Sequence, residues 1–152
     1  MFIGWSTTRD TKIYTKDDAE PGTVTSVTIP DVLTVYALWG YDTNGNDKPD
    51  VTEDTYDLAY DANGGEFADG SDTKQETGLL EGKHALQNGT AGEFAATYEI
   101  ADDTEIVFVG WSLEKADKVY SKDDDTTALI ASLTDEVEIP QDKIVYAVWG
   151  YD

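Results

Sequence analysis

The run Asp42-Thr43-Asn44-Gly45-Asn46-Asp47-Lys48-Pro49-Asp50-Val51-Thr52-Glu53 carries oxygen-bearing side chains at loop positions one, three, five and nine, with a glutamate at twelve. A calcium ion takes about six to eight hard oxygen ligands, and this spacing wraps one chain around one ion. The implied ligands are Asp42, Asn44, Asn46, the main-chain carbonyl of Lys48, Asp50 and a bidentate Glu53. At position six, where such loops use glycine, stands Asp47. It has to take a left-handed conformation that an aspartate adopts less easily than a glycine. The competing reading is a solvated acidic linker whose polarity keeps two domains apart.

Other chemistry is thinly supported. His84 is the single histidine and lies between Lys83 and Ala85 in a polar stretch, which reads as a surface residue rather than a base. The absence of cysteine removes disulfides, thiolate metal sites and thiol nucleophiles together. Paired carboxylates of the glycosidase kind arise by chance among 32 acidic residues, so none is singled out. No phosphate-cradling glycine pattern occurs, and the expectation is a non-catalytic protein. With 10 basic residues against those 32, the formal charge is -22. Such a surface disfavours nucleic acid and anionic lipid and attracts cations. Aromatic residues at 11% and hydrophobic residues at 39% are too plentiful for a disordered acidic tail, so the charge coats a folded body.

The elements that must position the loop occur twice. Phe2-Ile3-Gly4-Trp5-Ser6, Tyr14, Lys16-Asp17-Asp18, Ile29-Pro30 and Val35-Tyr36-Ala37-Leu38-Trp39-Gly40-Tyr41-Asp42 recur as Phe108-Val109-Gly110-Trp111-Ser112, Tyr120, Lys122-Asp123-Asp124, Ile139-Pro140 and Val145-Tyr146-Ala147-Val148-Trp149-Gly150-Tyr151-Asp152. The offset is 106 positions early in the match and 110 late, so four residues are inserted between Asp124 and Ile139. Self-similarity of this kind points to an array of structural units, which serve mostly as spacers or binding surfaces. On that period, residues 1–42 read as the C-terminal half of a preceding repeat, 43–54 as an acidic connector and 55–152 as one complete repeat. A unit of that length can bury its own core. The half copy is expected to be marginal, to dock on the full copy, or to undergo domain swapping with another chain.

Residues 34–39 and 144–149 are rich in β-branched and aromatic residues on both alternating faces, which predicts covered strands. Short strands are predicted over 24–29 and 137–139, each stopped by a proline. Strands over 55–60, 94–100 and 105–111 complete the set, with a turn at Asn63-Gly64-Gly65. One short helix is expected at 126–133, on the insertion and therefore missing from the first copy. Residues 66–92 read as an ordered excursion with one short strand. The tryptophans read as core residues rather than sugar platforms. The fold class expected is mainly β with little helix.

The order Tyr60-Asp61-Ala62-Asn63-Gly64-Gly65, Phe108-Val109-Gly110-Trp111-Ser112, Val145-Tyr146-Ala147-Val148-Trp149 resembles the internalin-type B repeat of secreted bacterial surface proteins. The likeness covers the complete copy and, through its last two motifs, the half copy. It implies a β-grasp-like α+β unit in a tandem array, an extracellular place on the bacterial cell surface or wall, and neighbouring repeats as partners. Residues 66–107 are longer and more polar than that family's pattern, which implies an added hairpin or loop. The connector departs from a paired EF-hand, because Pro49 replaces the apolar residue of position eight and no amphipathic helices flank it. It is similar instead to the isolated calcium loops of dockerins and thrombospondin type 3 repeats. The functional expectation is an adhesin stalk or spacer with a calcium-sensitive connector. The alternative is a binding module that uses loops of residues 66–100 to recognise a host protein or glycan. No membrane insertion is expected, since no apolar span of sufficient length occurs.

Overall fold

The structure, a computed structural model, describes residues 1–100 and 105–152. It is mainly β and divides into two units, Met1–Thr55 and Tyr56–Asp152. Among the described residues no helix is long and apolar enough to cross a membrane.

In the first unit, β1 (Phe2–Ser6), β2 (Ile13–Tyr14) and β3 (Tyr36–Gly40) form a sheet with β3 in the middle, antiparallel to β1 and parallel to β2. Leu38 is buried, whereas Trp39 on the opposite side of the same strand is half exposed, as the period of two requires when only one face is covered. The strand predicted over 24–29 is reduced to one bridge between Val24 and Trp5. Its apolar residues Val27 and Ile29 remain exposed, so nothing holds a longer ladder there. The connector folds within this unit and ends in a single 3-10 turn, Asp50–Thr52.

The second unit contains β4 (Tyr56–Asp61), β5 (Glu66–Phe67), β6 (Thr73–Leu79), β7 (Gly82–Ala85), β8 (Ala96–Thr97), β9 (Ile106–Ser112), α1 (Thr127–Ser132), β10 (Leu133–Thr134), β11 (Glu136–Ile139) and β12 (Ile144–Tyr151). Five of these strands form a sheet in the order β10-β9-β12-β4-β6, in which only the central pair β12 and β4 is parallel. Two small antiparallel pairs, β7 with β11 and β5 with β8, complete it. Leu58, Tyr60, Ala62, Phe67, Trp111, Ile139, Val145, Ala147 and Trp149 form the core, and the burial of such side chains is the main stabilising term.

Three strands lie where the sequence suggests one. β6 is an edge strand, with Thr73, Gln75 and Thr77 facing solvent, so pairing with β4 rather than an apolar stripe defines it. The predicted strand over 94–100 becomes a 3-10 turn, Gly92–Phe94, followed by the two-residue β8. Gly92 turns the chain there at φ 75°, and Phe94 and Tyr98 pack against the core instead of continuing a ladder. The helix forms at Thr127–Ser132 with Leu129 buried, while the matching part of the first unit holds none.

The recurring segments make the same pairings. In the first unit Phe2, Gly4, Trp5 and Ser6 oppose Trp39, Leu38, Ala37 and Tyr36; in the second, Phe108, Gly110, Trp111 and Ser112 oppose Trp149, Val148, Ala147 and Tyr146. Both ladders have their irregularity between the phenylalanine and the glycine. A Cβ on Gly4 would lie 2.7 Å from a Thr23 methyl, and one on Gly110 would lie 3.1 Å from a Leu133 methyl. Close approach of a side chain therefore explains the glycine of this motif. The loop after each first strand is closed alike: Lys12 pairs with Asp18, which accepts from the Thr15 N–H, and Lys118 pairs with Asp124, which accepts from the Ser121 N–H.

Candidate functional site

Chain direction places the connector. Gly40 at the end of β3 has Pro49 close by, with a Cβ position 3.3 Å from the proline Cβ, and the Asp50 N–H donates to the Tyr41 carbonyl at 2.8 Å. Those two contacts fold residues 42–53 back on themselves. Gly45 (φ 72°) and Asp47 (φ 65°) take the two left-handed positions. Asp47 thus adopts the strained conformation expected at position six, at a cost of about 1–2 kcal/mol relative to glycine.

Asp42 organises the turn. Its Oδ1 accepts from the N–H groups of Gly45 (2.8 Å) and Asn46 (3.2 Å), and its Oδ2 accepts from the Asp47 N–H (3.2 Å). Asn44 Oδ1 accepts from the same Asn46 N–H at 3.3 Å, so positions one and three converge. The Nδ2 groups of Asn44 and Asn46 both donate to the Glu53 carboxylate, at 3.3 Å and 2.5 Å for the nearer oxygens. Positions one, three, five and twelve are therefore brought together. The Lys48 N–H donates to Asn46 Oδ1 at 3.0 Å, which turns the chain at position seven.

Asp50 differs from the other five. It is buried, and its oxygens accept from the Thr43 N–H (2.9 Å) and the Thr43 hydroxyl (2.7 Å). Its carboxylate braces the loop from beneath, and nothing in the spacing of the sequence distinguishes this role from a ligand's.

The donor set is chemically suited to calcium: two carboxylates, two amide carbonyl oxygens and a main-chain carbonyl, all hard oxygens. The amide N–H groups now beside Glu53 supply the partial positive charge that a cation would supply, and rotation of each amide about χ2 presents its oxygen instead. Among the described residues no three His, Cys, Asp or Glu side chains gather as a metal-ligand group. The loop is consistent with that, since half its converging side chains are asparagines.

Elsewhere, a cluster that no sequence motif marks joins three strands. The Tyr60 hydroxyl donates to Glu76, His84 Nε2 lies 3.1 Å from the same carboxylate, and the Gln87 N–H donates to the Tyr60 oxygen at 3.1 Å. Burial, followed by the bond to Glu76, raises the Tyr60 hydroxyl well above the ordinary phenol range. Pairing between segments far apart in sequence creates this cluster, which ties β4, β6 and β7 together. A separate cleft of about 360 Å³ is lined by Asn63, Tyr98, Lys115, Lys118 and Trp149 among others. The Asn63 amide is already engaged there, donating to the carbonyls of Ala116 (2.9 Å) and Ala147 (3.0 Å).

No family model matches the chain, and neither a curated protein nor a solved structure matches it.

Proposed function

We propose that the chain is a non-catalytic stretch of a bacterial cell-surface repeat protein, a stalk or spacer of an adhesin, whose β-grasp-like copies are joined by calcium-sensitive connectors. The observation that carries this reading is the shared register of Phe2–Ser6 on Tyr36–Trp39 and Phe108–Ser112 on Tyr146–Trp149. Two segments that fold alike within one chain are what an array requires. The sheet order, with a parallel central pair flanked by antiparallel strands, supports the β-grasp-like description.

Calcium enters at the connector. Asp42, Asn44, Asn46, Glu53 and the Lys48 carbonyl hold the ion, and Asp50 braces the loop through Thr43. With an affinity near 10⁻⁴ M and about 1 mM calcium, linkage stabilises the bound loop by roughly 1.4 kcal/mol. That is small beside a domain's stability and sufficient to stiffen a hinge.

The alternative, recognition of a host protein or glycan through residues 66–100, has less support. Phe67 and Ala96 are buried and Leu79, Leu86, Phe94 and Tyr98 pack on the core, so these apolar residues of that stretch are used inward. The test is calorimetric calcium titration of the chelator-stripped chain beside an Asp42→Ala, Glu53→Ala variant. One-site binding that vanishes in the variant supports the reading; equal heats in both defeat it.

A further inference from the structure

We propose that the first unit is an acceptor for a front-half segment of the kind that residues 56–97 represent, which adds a strand parallel to β3 at residues 34–36. This rests on the repeat reading and names the partner it implies.

The second unit shows what covers the corresponding face. There β4 lies parallel to β12, with Ala59, Tyr60 and Asp61 opposite Ile144, Val145 and Tyr146. The residues matching these three are Thr34, Val35 and Tyr36, and within residues 1–55 nothing matches β4. The structural effect is visible. β12 starts at Ile144, whereas β3 starts only at Tyr36, two residues later on the shared alignment. The strand stops short where no strand of residues 1–55 pairs with it, and an unpaired edge beside an apolar face invites strand addition.

The aromatic residues agree. Trp111 and Trp149 are 4% and 2% exposed, but their counterparts Trp5 and Trp39 are 48% and 51% exposed. Trp149 Nε1 donates to the Ala62 carbonyl at 2.8 Å and Trp111 Nε1 to the Gln87 carbonyl at 2.9 Å, both acceptors lying in the front half. Among the described residues neither Trp5 nor Trp39 has such a partner for its indole N–H. Charge also matches: Lys115 stands 3.9 Å from Asp61 in the second unit, and Arg9 occupies the matching position in the first, with no ion pair among the described residues. The incoming strand therefore finds an edge, an apolar floor, two indole donors and a cation for its aspartate.

Hydrogen exchange of the full chain, with and without a synthetic 55–100 segment at about 1 mM, reads the result directly. The expected outcome is at least about tenfold slower exchange of amides in 34–39, with residues 144–146 unchanged. A segment carrying Leu58→Asp and Tyr60→Asp should give no slowing. A second measurement removes dependence on the free peptide: residues 55–107 fused ahead of Phe2 should protect 34–39 and shift the Trp5 and Trp39 emission to the blue. Absence of protection in both formats overturns the proposal. So do equal protection by the doubly substituted segment, displacement of the second unit's own strand, and protection of 34–39 in the chain alone that is lost on dilution, which would assign the face to a second copy of the chain. The calcium titration is independent of all these outcomes, so failure here is distinguishable from failure of the connector.

Discussion

The indole N–H of Trp149 donates to the Ala62 carbonyl at 2.8 Å, joining the last strand of the second unit to the turn that leaves its first. The same carbonyl accepts from the Gly65 N–H at 3.0 Å, and a Cβ on Gly65 would lie 2.6 Å from the Trp149 ring. Tryptophan and glycine are thus matched parts of one contact. Trp149→Phe keeps the ring contact and removes the donor, so equilibrium denaturation should show a loss of about 1–2 kcal/mol. Trp149→Ala should lose about 3–5 kcal/mol. The matching Trp39→Phe, at an exposed position, should stay within about 0.5 kcal/mol of the parent.

Asn63 holds φ 49° while donating to the carbonyls of Ala116 and Ala147. Asn63→Gly keeps the conformation and loses the bonds; Asn63→Ala loses both. Unfolding measurements should place the alanine variant lower, by about 1 kcal/mol or more, with the glycine variant between it and the parent. A glycine variant as stable as the parent would mean that the bonds contribute nothing.

Gly89 lies against a ring, and a Cβ there would fall 2.3 Å from Phe108. Gly89→Ala should destabilise by about 1–3 kcal/mol through overpacking. Gly22, with nothing within 4 Å of its Cβ position, should accept alanine without cost. Thermal melts of the two variants provide the comparison.

Asp18 and Asp124 titrate low, each at about 2, chiefly because Lys12 and Lys118 respectively donate to them, with the N–H groups of Thr15 and Ser121 adding to the effect. A carboxylate with a depressed folded value stabilises fully above its ordinary value, near pH 4, and that contribution is lost as the pH falls through about 2. Carboxyl NMR titration should therefore give both midpoints near 2. Lys12→Ala and Lys118→Ala should each move only its own partner upward.

At the connector, Asp47→Gly relieves the left-handed strain at φ 65° while leaving the N–H that donates to Asp42. Because that strain is already present in the ion-free loop, its relief should appear in equilibrium denaturation as a gain of up to about 1 kcal/mol, with calcium affinity little changed. A variant no more stable than the parent would mean that the aspartate bears the left-handed conformation without cost.

β9 and β12 were legible in sequence because β-branched and aromatic residues crowd both faces of 144–149 and because the Phe-x-Gly-Trp-Ser segment recurs in the chain. β6 was not, since Thr73, Gln75 and Thr77 have the polar alternation of a loop and only pairing with β4 orders them. The convergence of Asp42, Asn44, Asn46 and Glu53 was legible from spacing alone. The inward turn of Asp50 onto Thr43 was not, nor was the Tyr60–Glu76–His84 cluster, because each depends on which neighbour folding brings within reach.

The half-exposed rings of Phe2, Trp5 and Trp39 sit on a chain whose formal charge is -22. Mutual repulsion of that size keeps uncovered apolar faces on separate molecules apart at low ionic strength. The Debye length shrinks from about 10 Å at 0.1 M salt to about 3 Å at 1 M, so the barrier thins as salt is added. Colloidal behaviour should therefore run opposite to that of a protein held together by ion pairs: clear solutions in dilute buffer, and light scattering that rises with salt through contacts between these rings.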